Sequence, residues 1–330
     1  MSRPAVARKT QYTVPTNKRG VRLDRLLMEW AASGISRSQI QQLIRRGCVK
    51  VNGHPTKPGY RVRPGDVVAV HWDIPRPPEC LEPEPGPVRV LYRDAALIVV
   101  AKPAGIPVHP GAGHVHGTLV HRLIAVDADL ARVGHPLRPG IVHRLDRVTS
   151  GVMVVARTPA AYQALIRAFQ QRKVRKHYLT IVWGKVEPER GIVETRIGRH
   201  PIARKRFAVL TRGGKWARTR YRVRASTGQF SLLDVFPLTG RTHQIRVHLT
   251  HIGHPVVADP VYGRQRMHTL TDPALRAQLQ RIMRKPAILL HAHCIALPHP
   301  LTGRQMRFAV APPRWFRTVW ARMTQTGNGT

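Results

Sequence analysis

Six prolines crowd residues 73–87, and this segment constrains the fold more than any other feature of the chain. Proline at that density favours an extended, semi-rigid backbone. Four acidic residues lie in the same segment, although the chain has only 17. The sequence therefore predicts a linker at 73–87 that joins a small domain at 20–72 to a large domain at 88–320. We expect the remaining residues to form a basic N-terminal tail at 1–19 and a short C-terminal tail at 321–330.

The small domain has the pattern of two helices and a small sheet. Residues 21–30 carry apolar side chains at i, i+3, i+4 and i+7, the spacing of a helix with one buried stripe. A second helix is predicted from the capping residue Ser36 to the stop signal Gly47. Two β-prone runs follow at 48–51 and 67–70, with turn signals between them.

This small domain resembles the αL motif, an RNA-binding module named after a protein of the small ribosomal subunit. The matching fingerprint is RLDRLL, then SRSQIQQLIRRGCVKVNG. The resemblance implies a small α/β fold in which Arg37, Arg45, Arg46 and Lys50 contact RNA. Without the fingerprint, the same basic helix face would be interpreted as a solvent-exposed surface.

The net charge of the whole chain is +38, from 55 Lys and Arg against 17 Asp and Glu. Such an excess favours an abundant anionic partner, which is nucleic acid, an anionic membrane or acidic protein. A membrane is the weakest of these, because no run approaches roughly eighteen apolar residues and the N-terminus lacks the apolar region of a secretory signal. Three scattered cysteines build neither a disulfide framework nor a CxxC site. We therefore expect a nucleic-acid-binding protein of the reducing cytoplasm.

Basic residues dominate the stretch between Glu194 and Asp234, which contains eleven Lys or Arg and no acid. Arginines occupy alternate positions there, so in a strand their side chains project from one face. Arginine suits bidentate phosphate contacts, which makes a polyanion the expected partner of this row. A charge-protected edge strand remains the alternative interpretation. The row consists of Arg218, Arg220, Arg222 and Arg224.

The large domain shows an irregular alternation of β-prone runs and helical stretches, which predicts a mixed α+β fold. The β-prone runs are 97–101, 152–156, 178–183 and 232–236. The clearest helix is 158–172, with Thr158 as N-cap and a proline at its first position. A second helix is predicted at 242–252.

One carboxylate is embedded among cations in HRLDRVTSG, residues 143–151. Nearby positive charge keeps a carboxylate such as Asp146 ionised, which suits a nucleophile or a general base. An aspartate between arginines is also the pattern of a structural ion pair, so this segment alone leaves both interpretations open.

The stretch from about Val88 to Trp315 resembles the RluA/RluD family of large-subunit ribosomal RNA pseudouridine synthases. Five blocks match in order. They are VVAKPAGIPVHPG (99–111), HRLDRVTSGVMVVART (143–158), KHYLTIVWG (176–184), FPLTGRTHQIRVHLTHIGHPVVADPVYG (236–263) and LLHAHCIALPHPLTG (289–303). The resemblance implies the pseudouridine synthase fold, a mixed and largely antiparallel sheet with flanking helices. It implies an enzyme that isomerises uridines in large-subunit ribosomal RNA, free or in a pre-ribosomal particle, by flipping the base out of the RNA.

The same resemblance assigns roles to particular residues. Asp146 matches the aspartate that acts at the ribose C1′/C2′ and breaks the N1–C1′ bond, and Arg241 matches the arginine that pairs with it. Tyr178 matches a tyrosine that packs on the uracil and is a candidate for proton removal. Further residues implied to contact the substrate are Arg144, which fills the gap left by the flipped base, Leu290 in the pocket wall, His143, Thr242, His243 and Gln244.

No cofactor, metal or cosubstrate is expected, because the reaction reattaches the detached base through C5 and its product is an isomer of the substrate. His248 and His251 are spaced to share a helix face, but no carboxylate or cysteine lies at ligand spacing beside them. A ribonuclease that uses two histidines is a rival enzyme hypothesis without a spacing signature. A non-catalytic ribosome-assembly factor with the same basic surface is the alternative from another class. We expect a monomer, and the sequence indicates no protein partner.

Overall fold

The structure is a computed structural model that describes residues 8–31, 37–72, 81–111, 114–203 and 206–326. The chain divides into two compact units, the first ending at Glu79 and the second beginning at Cys80. None of the described helices is both long and apolar enough to cross a membrane.

The first unit packs two helices on one sheet. Its elements are β1 (Arg8–Thr13), α1 (Leu23–Trp30), α2 (Arg37–Arg45), β2 (Val49–Val51), β3 (His54–Pro55) and β4 (Val67–Trp72). The sheet has the order β1-β4-β2-β3, and each neighbouring pair of strands is antiparallel. The predicted apolar stripes form the core, which includes fully buried Leu23, Leu26, Leu27 and Ile40. Both predicted helices are therefore present, and the capping residue Ser36 lies outside the described residues.

The expected N-terminal tail is wrong for residues 8–19. Strand β1 pairs with β4 along its length, for example Thr10 with Val70. Tyr12 stacks on Trp30 with ring centroids 4.6 Å apart, and the indole N–H of Trp72 donates to the Thr10 hydroxyl at 2.9 Å. The partners lie about sixty positions apart in the sequence, so the local basic composition gave no sign of this strand.

The second unit contains a large sheet with helices against it. Its strands are β5 (Arg89–Arg93), β6 (Leu97–Lys102), β7 (Gly134–His135), β8 (Arg138–Pro139), β9 (Ser150–Ala156), β10 (Arg175–Trp183), β11 (Arg190–Arg199), β12 (Phe207–Val209), β13 (Lys215–Ser226), β14 (Phe230–Pro237), β15 (Leu290–Pro298) and β16 (Gln305–Ala309). Its α-helices are α3 (Leu119–Val126), α4 (Pro159–Gln170), α5 (Gln244–His251), α6 (Pro273–Arg284) and α7 (Arg314–Thr326).

The main sheet has ten strands in the described part of the chain, in the order β12-β11-β13-β14-β10-β15-β9-β6-β5, with β16 also paired to β15. The pairing of β15 with β9 is parallel, and the other pairings in this sheet are antiparallel. The predicted α+β pattern is thus present. Helix α4 begins as expected, because the Thr158 hydroxyl accepts the Ala161 N–H at 3.2 Å.

Two expected boundaries of the large domain are wrong. Leu81, placed in the linker, is 5% exposed and packs in the same apolar cluster as Leu119 and Leu123. Met323, placed in the C-terminal tail, is fully buried on α7. Proline-rich composition marks extended backbone, but it does not tell whether that backbone packs against a domain.

Gly151 lies where β9 and β15 run side by side, opposite Ala292. Its φ is +133°, and an added Cβ would lie 2.2 Å from the Ala292 carbonyl oxygen. We expect Gly151→Ala to lower the free energy of unfolding by about 3 kcal/mol, because both the backbone conformation and the space exclude a side chain. Chemical denaturation measures this change. Gly111→Ala is the matched control, because a Cβ at Gly111 meets nothing within 4 Å. Equal stability of the two variants would contradict this account of Gly151.

Candidate active site

A cleft of about 500 Å³ opens in the second unit where five segments meet. They are the loop before β9, the end of α4 with the residues that follow it, the start of β10, residues 237–246 leading into α5, and the start of β15. Every residue that the sequence analysis placed in catalysis or substrate contact lines this cleft. These residues are Asp146, Tyr178, Arg241, Arg144, Leu290, His143, Thr242, His243 and Gln244.

Asp146 is held in the cleft by a buried arginine. Its side chain is 20% exposed, and the Arg246 Nη1 donates to its Oδ2 at 3.0 Å. The same guanidinium donates through Nε and Nη2 to both oxygens of Asp259, at 2.7 and 2.9 Å. Burial alone would lower the pKa of Arg246, but the hydrogen bonds and charges of Asp259 and Asp146 raise it above its ordinary value. Arg246 is therefore a permanent cation that fixes the position of the Asp146 carboxylate.

The expected pairing of Asp146 with Arg241 is wrong. Arg241 lines the cleft, but its Nε donates to the Trp216 carbonyl at 2.9 Å. Arg246 lies on α5 and faces inward, whereas Arg241 precedes the helix in the turn that leads into it. Both arginines belong to the block GRTHQIR, and the block alone does not tell which one reaches the carboxylate.

Tyr178 and Leu290 form an apolar wall of the cleft. They lie on neighbouring strands, β10 and β15, and Leu290 is 4% exposed. Burial, and then the charge of Asp146, raise the pKa of Tyr178 well above its ordinary value. The hydroxyl therefore stays protonated at neutral pH, and the ring offers a flat surface on which a base can pack.

A buried lysine supports the loop that carries Asp146. Lys102 is 1% exposed, and its ammonium donates to the carbonyls of Pro103 and Ile106, both at 2.8 Å, and of Arg147 at 3.3 Å. Burial lowers its pKa to about 7, against the opposing attraction of Asp146. Lys102 lies in the first matching block, but nothing in the sequence marked it as a residue of the active site.

Two of the residues expected to contact the substrate have their polar atoms engaged within the protein. The Gln244 side chain accepts from the Thr239 hydroxyl at 2.6 Å and the Arg241 N–H at 3.0 Å. Its amide nitrogen donates to the Arg218 carbonyl at 3.0 Å and the Thr219 hydroxyl at 2.9 Å. Gln244 therefore stabilises the turn before α5 and has no free group for a substrate.

His143 is engaged in the same way. Its Nε2 accepts the Val154 N–H at 3.0 Å, and its ring stacks on Phe169. Burial, and then the charge of Lys176, lower its pKa to about 3, so the ring is neutral. His143 fixes the start of the loop that leads to Asp146.

The remaining predicted residues present groups to the cleft. Arg144 and Thr242 are exposed. His243 has a left-handed φ of 55°, and its Nδ1 lies 3.0 Å from the Tyr262 hydroxyl and its Nε2 3.8 Å from the Asp146 carboxylate. Burial lowers the pKa of His243, and the nearby Asp146 opposes this shift. A neutral imidazole therefore lies next to the Asp146 carboxylate.

His248, one of the two α5 histidines considered as metal ligands, has both ring nitrogens engaged within the protein. The two ring nitrogens of His248 lie 2.8 Å from the Thr219 hydroxyl and 3.0 Å from the Thr195 hydroxyl. Burial lowers the pKa of His248 to about 4. A ring with both nitrogens hydrogen-bonded inside the protein offers no lone pair to an ion.

The basic residues expected to contact RNA in the first unit differ in their surroundings. Arg45, Arg46 and Lys50 are exposed. The Arg37 side chain instead donates to the Asp24 carboxylate at 3.0 Å. The side chains of Arg22 and Gln41 donate to the same carboxylate. Burial would raise the pKa of Asp24, but these hydrogen bonds hold it at about 2. Arg37 therefore joins α2 to α1.

The arginine row on β13 receives part of its counter-charge from the protein itself. Arg222 and Arg224 each contact the fully buried Asp234 at 2.8 Å, and Arg218 lies 3.3 Å from Glu194. The pairing of β13 with β14 shifts register between Val223 and Ala225, close to these contacts. Glu194 and Asp234, the acids at the two ends of the acid-free stretch, are thus the ion-pair partners of the row. Arg220, in the same row, is exposed.

The comparisons with known proteins agree on one family. The family model described as RNA pseudouridylate synthase matches residues 96–251, and the S4 domain model matches residues 21–68. An uncharacterized RNA pseudouridine synthase of Aquifex aeolicus (strain VF5) is 41% identical over 303 residues, which is 91% of this chain and 93% of that protein. A protein of Nitrosomonas europaea named ribosomal large subunit pseudouridine synthase D is 43% identical, over 89% of this chain and 82% of its own.

A solved structure supports the same assignment. Human RNA pseudouridylate synthase domain containing 4 aligns with a TM-score of 0.55 and 27% identity, over 71% of this chain and 92% of that chain. A chain with this sheet, this cleft and these relatives belongs to the RNA pseudouridine synthase family, with an S4 domain at its N-terminus. It is an isomerase, and the predicted α+β fold and family are confirmed. The alternative of a non-catalytic assembly factor is set aside.

Proposed function

We propose that this chain isomerises specific uridines of large-subunit ribosomal RNA to pseudouridine, with Asp146 as the reacting carboxylate. The observation that carries the proposal is the contact of Asp146 with the buried pair of Arg246 and Asp259, which fixes one carboxylate at the cleft and balances its charge. The Nitrosomonas europaea relative, named ribosomal large subunit pseudouridine synthase D, supports the substrate class.

The reaction needs little from the protein besides position and shielding. The N1–C1′ bond breaks, the uracil turns, a C5–C1′ bond forms, and the proton from C5 leaves while N1 ends protonated. Asp146 acts at the C1′/C2′ side of the ribose, and Tyr178 and Leu290 hold the detached ring against the wall. A preorganised ionised group loses no energy to solvent reorganisation during such a step.

Access to the cleft requires that the uridine leave its stack. Extrusion of a base costs a few kcal/mol, and an inserted side chain with phosphate contacts offsets that cost. In this proposal the exposed Arg144, two residues before Asp146, fills the gap in the RNA. The exposed Arg220 on β13 and the S4 domain supply phosphate contacts.

The S4 domain is proposed to add affinity through Arg45, Arg46 and Lys50. We expect a variant of the full chain with all three changed to Gln to bind large-subunit RNA with a lower slope of log K against log salt. The decrease is about 2.7, because each phosphate contact on duplex-like nucleic acid contributes roughly 0.9. Filter binding across a salt series measures it, with turnover at saturating RNA as a second readout that stays within about tenfold.

A matched control removes the same charge from α6 and α7, by changing the exposed Arg281, Arg314 and Arg317 to Gln. None of these residues lines the cleft or belongs to a surface proposed to contact RNA, so the slope of this variant stays closer to that of the unmodified chain. Equal slopes for the two variants would mean that the basic surface of α2 has no special part in RNA binding.

The direct test of the proposed function is a map of pseudouridines in ribosomal RNA from cells with and without this protein. We expect one or more large-subunit positions to lose the modification and to regain it with the purified protein. Parallel reactions on free RNA and on pre-ribosomal particles identify the preferred substrate. Unchanged large-subunit RNA together with a lost site in another RNA would contradict the substrate class but not the chemistry.

The proposal includes a monomeric enzyme, since one chain contributes every residue assigned to the cleft. It also includes a cytoplasmic location, the compartment in which such an RNA substrate would be met during ribosome assembly.

A further inference from the structure

Three side chains with metal-binding atoms converge outside the catalytic cleft. They are Glu84, in the segment that precedes β5, His116, in the loop before α3, and His121, in the first turns of α3. One donor atom from each lies within 4.8 Å of the other two. None of these residues lines the cleft, and the reaction proposed above makes no use of them.

His121 is oriented by a hydrogen bond on the far side of its ring. The imidazole is 3% exposed, and its Nδ1 lies 2.7 Å from the Thr118 hydroxyl. Its Nε2 faces Glu84, at 3.7 Å from Oε1. Nδ1 also accepts the Thr118 N–H at 3.4 Å, which is the capping contact at the start of α3. In the tautomer that binds a metal ion, Nδ1 instead carries the proton and donates it to the Thr118 hydroxyl, and the lone pair of Nε2 points toward Glu84.

Glu84 is fixed in a complementary way. One carboxylate oxygen, Oε2, accepts the Gly117 N–H at 2.8 Å. The other, Oε1, lies 3.1 Å from the Nδ1 of His116 and faces both imidazoles. The backbone contact therefore anchors the carboxylate and leaves Oε1 for the two rings.

The distances leave room for an ion among the three donors. Ligands about 2.1 Å from a tetrahedral zinc ion lie about 3.4 Å from one another. The present spread of up to 4.8 Å therefore closes by about an ångström when the ion enters. His116 can make this movement because its side chain is 79% exposed.

We propose that Glu84 Oε1, His116 and His121 Nε2 bind one Zn²⁺ ion, with solvent in the remaining position. Two imidazoles and one carboxylate suit zinc, whereas calcium and magnesium prefer sites built from oxygen. The ion joins the segment around Glu84 to α3 and to its preceding loop. That loop continues to His114, whose Nε2 lies 2.8 Å from Nη1 of Arg147, the neighbour of Asp146. Through His114 and Arg147 the site is connected to the loop that carries Asp146.

A titration of the full chain tests the proposal. Protein stripped with EDTA is mixed with Zn²⁺ in competition with a chromophoric chelator, and we expect one equivalent bound with micromolar or tighter affinity. His116→Ala and Glu84→Gln should each weaken that equivalent at least tenfold. His251→Ala is the matched control, because it removes an exposed histidine from another cluster and should leave the stoichiometry unchanged.

A second variant separates metal binding from a simple ion pair. In His116→Cys, a thiolate replaces one ligand, and added Co²⁺ should give a thiolate-to-cobalt charge-transfer band in the near ultraviolet. The unmodified chain, with its three cysteines, should not show that band. We also expect Zn²⁺ at about a hundredfold above Kd to raise Tm by roughly 5 to 10 °C, and His116→Ala to lose this rise.

Three results would overturn the site. They are the absence of an equivalent bound below about 10 µM, full retention of binding in both His116→Ala and Glu84→Gln, and a band of equal strength in the unmodified chain and His116→Cys. Because these readouts do not depend on isomerisation, they remain decisive whether or not the proposed RNA substrate is right.

Discussion

Asp146→Asn is expected to abolish uridine isomerisation, with a fall in turnover of roughly four orders of magnitude or more. The substitution keeps the side-chain volume but removes the charge and the reactive oxygen that Arg246 holds at the cleft. RNA affinity should change less than a few fold, because contacts with phosphates supply most of it. Single-turnover formation of pseudouridine in a large-subunit transcript, beside a binding curve on the same RNA, measures both quantities.

The matched control is Asp129→Asn, the same chemical change at an exposed aspartate of the second unit outside the cleft. Its turnover should equal that of the unmodified chain. If Asp146→Asn kept turnover within tenfold of that value, Asp146 would not be the reacting group. If it lost RNA binding as well, the carboxylate would serve to build the RNA site, and the chemistry would have to be assigned elsewhere.

Local sequence patterns predicted the elements that depend on local interactions. The apolar spacing of Leu23, Leu26 and Leu27 predicted α1, and the cap and proline at Thr158 and Pro159 predicted α4. Each of these signals lies within a few residues of the structure that it specifies. The catalytic residues were assigned in a different way, from the resemblance of short sequence blocks to a known family, and four of those five blocks contribute residues to the cleft.

Features that depend on distant partners could not be predicted in this way. Strand β1 exists because it pairs with β4, and α7 belongs to the folded domain because Met323 enters a core built largely by other elements. Charged groups follow the same rule. Asp234 lies on the strand beside the arginine row, so its contacts with Arg222 and Arg224 appear only when the register of the two strands is known.

The arginine partner of Asp146 shows this limit most clearly. Arg241 and Arg246 are five positions apart in one block, and either arginine could form an ion pair with a carboxylate. The difference lies in the α5 helix, which begins at Gln244 and carries Arg246 inward to Asp259. Asp259 is fully buried, and a buried carboxylate requires a cationic or hydrogen-bonding partner. The burial of Asp259 therefore selects Arg246 as the bridging residue, and burial is not visible in the sequence.

Arg246→Gln should consequently lower kcat by roughly 10² to 10³, with little change in KM for the RNA. It should also lower the free energy of unfolding by about 3 to 5 kcal/mol, because two carboxylates lose their shared cation and Asp259 remains buried. Arg246→Lys keeps the charge but not the geometry that reaches both acids, so both effects should be intermediate. Steady-state kinetics and chemical denaturation measure them, with circular dichroism to establish that each variant is folded at the assay temperature.

Arg241→Gln distinguishes the two arginines. Its side chain donates to the Trp216 carbonyl and lines the cleft, so we expect less than about a tenfold loss in turnover and a stability change within about 1 kcal/mol. Separate values of kcat and KM also distinguish an effect on the chemical step from a loss of folded protein. A partly unfolded variant has fewer active molecules, but each folded molecule reacts at the normal rate. If Arg241→Gln lost more kcat than Arg246→Gln, then the original pairing would apply in the RNA-bound enzyme, and α5 would have to release Asp146 when the substrate enters.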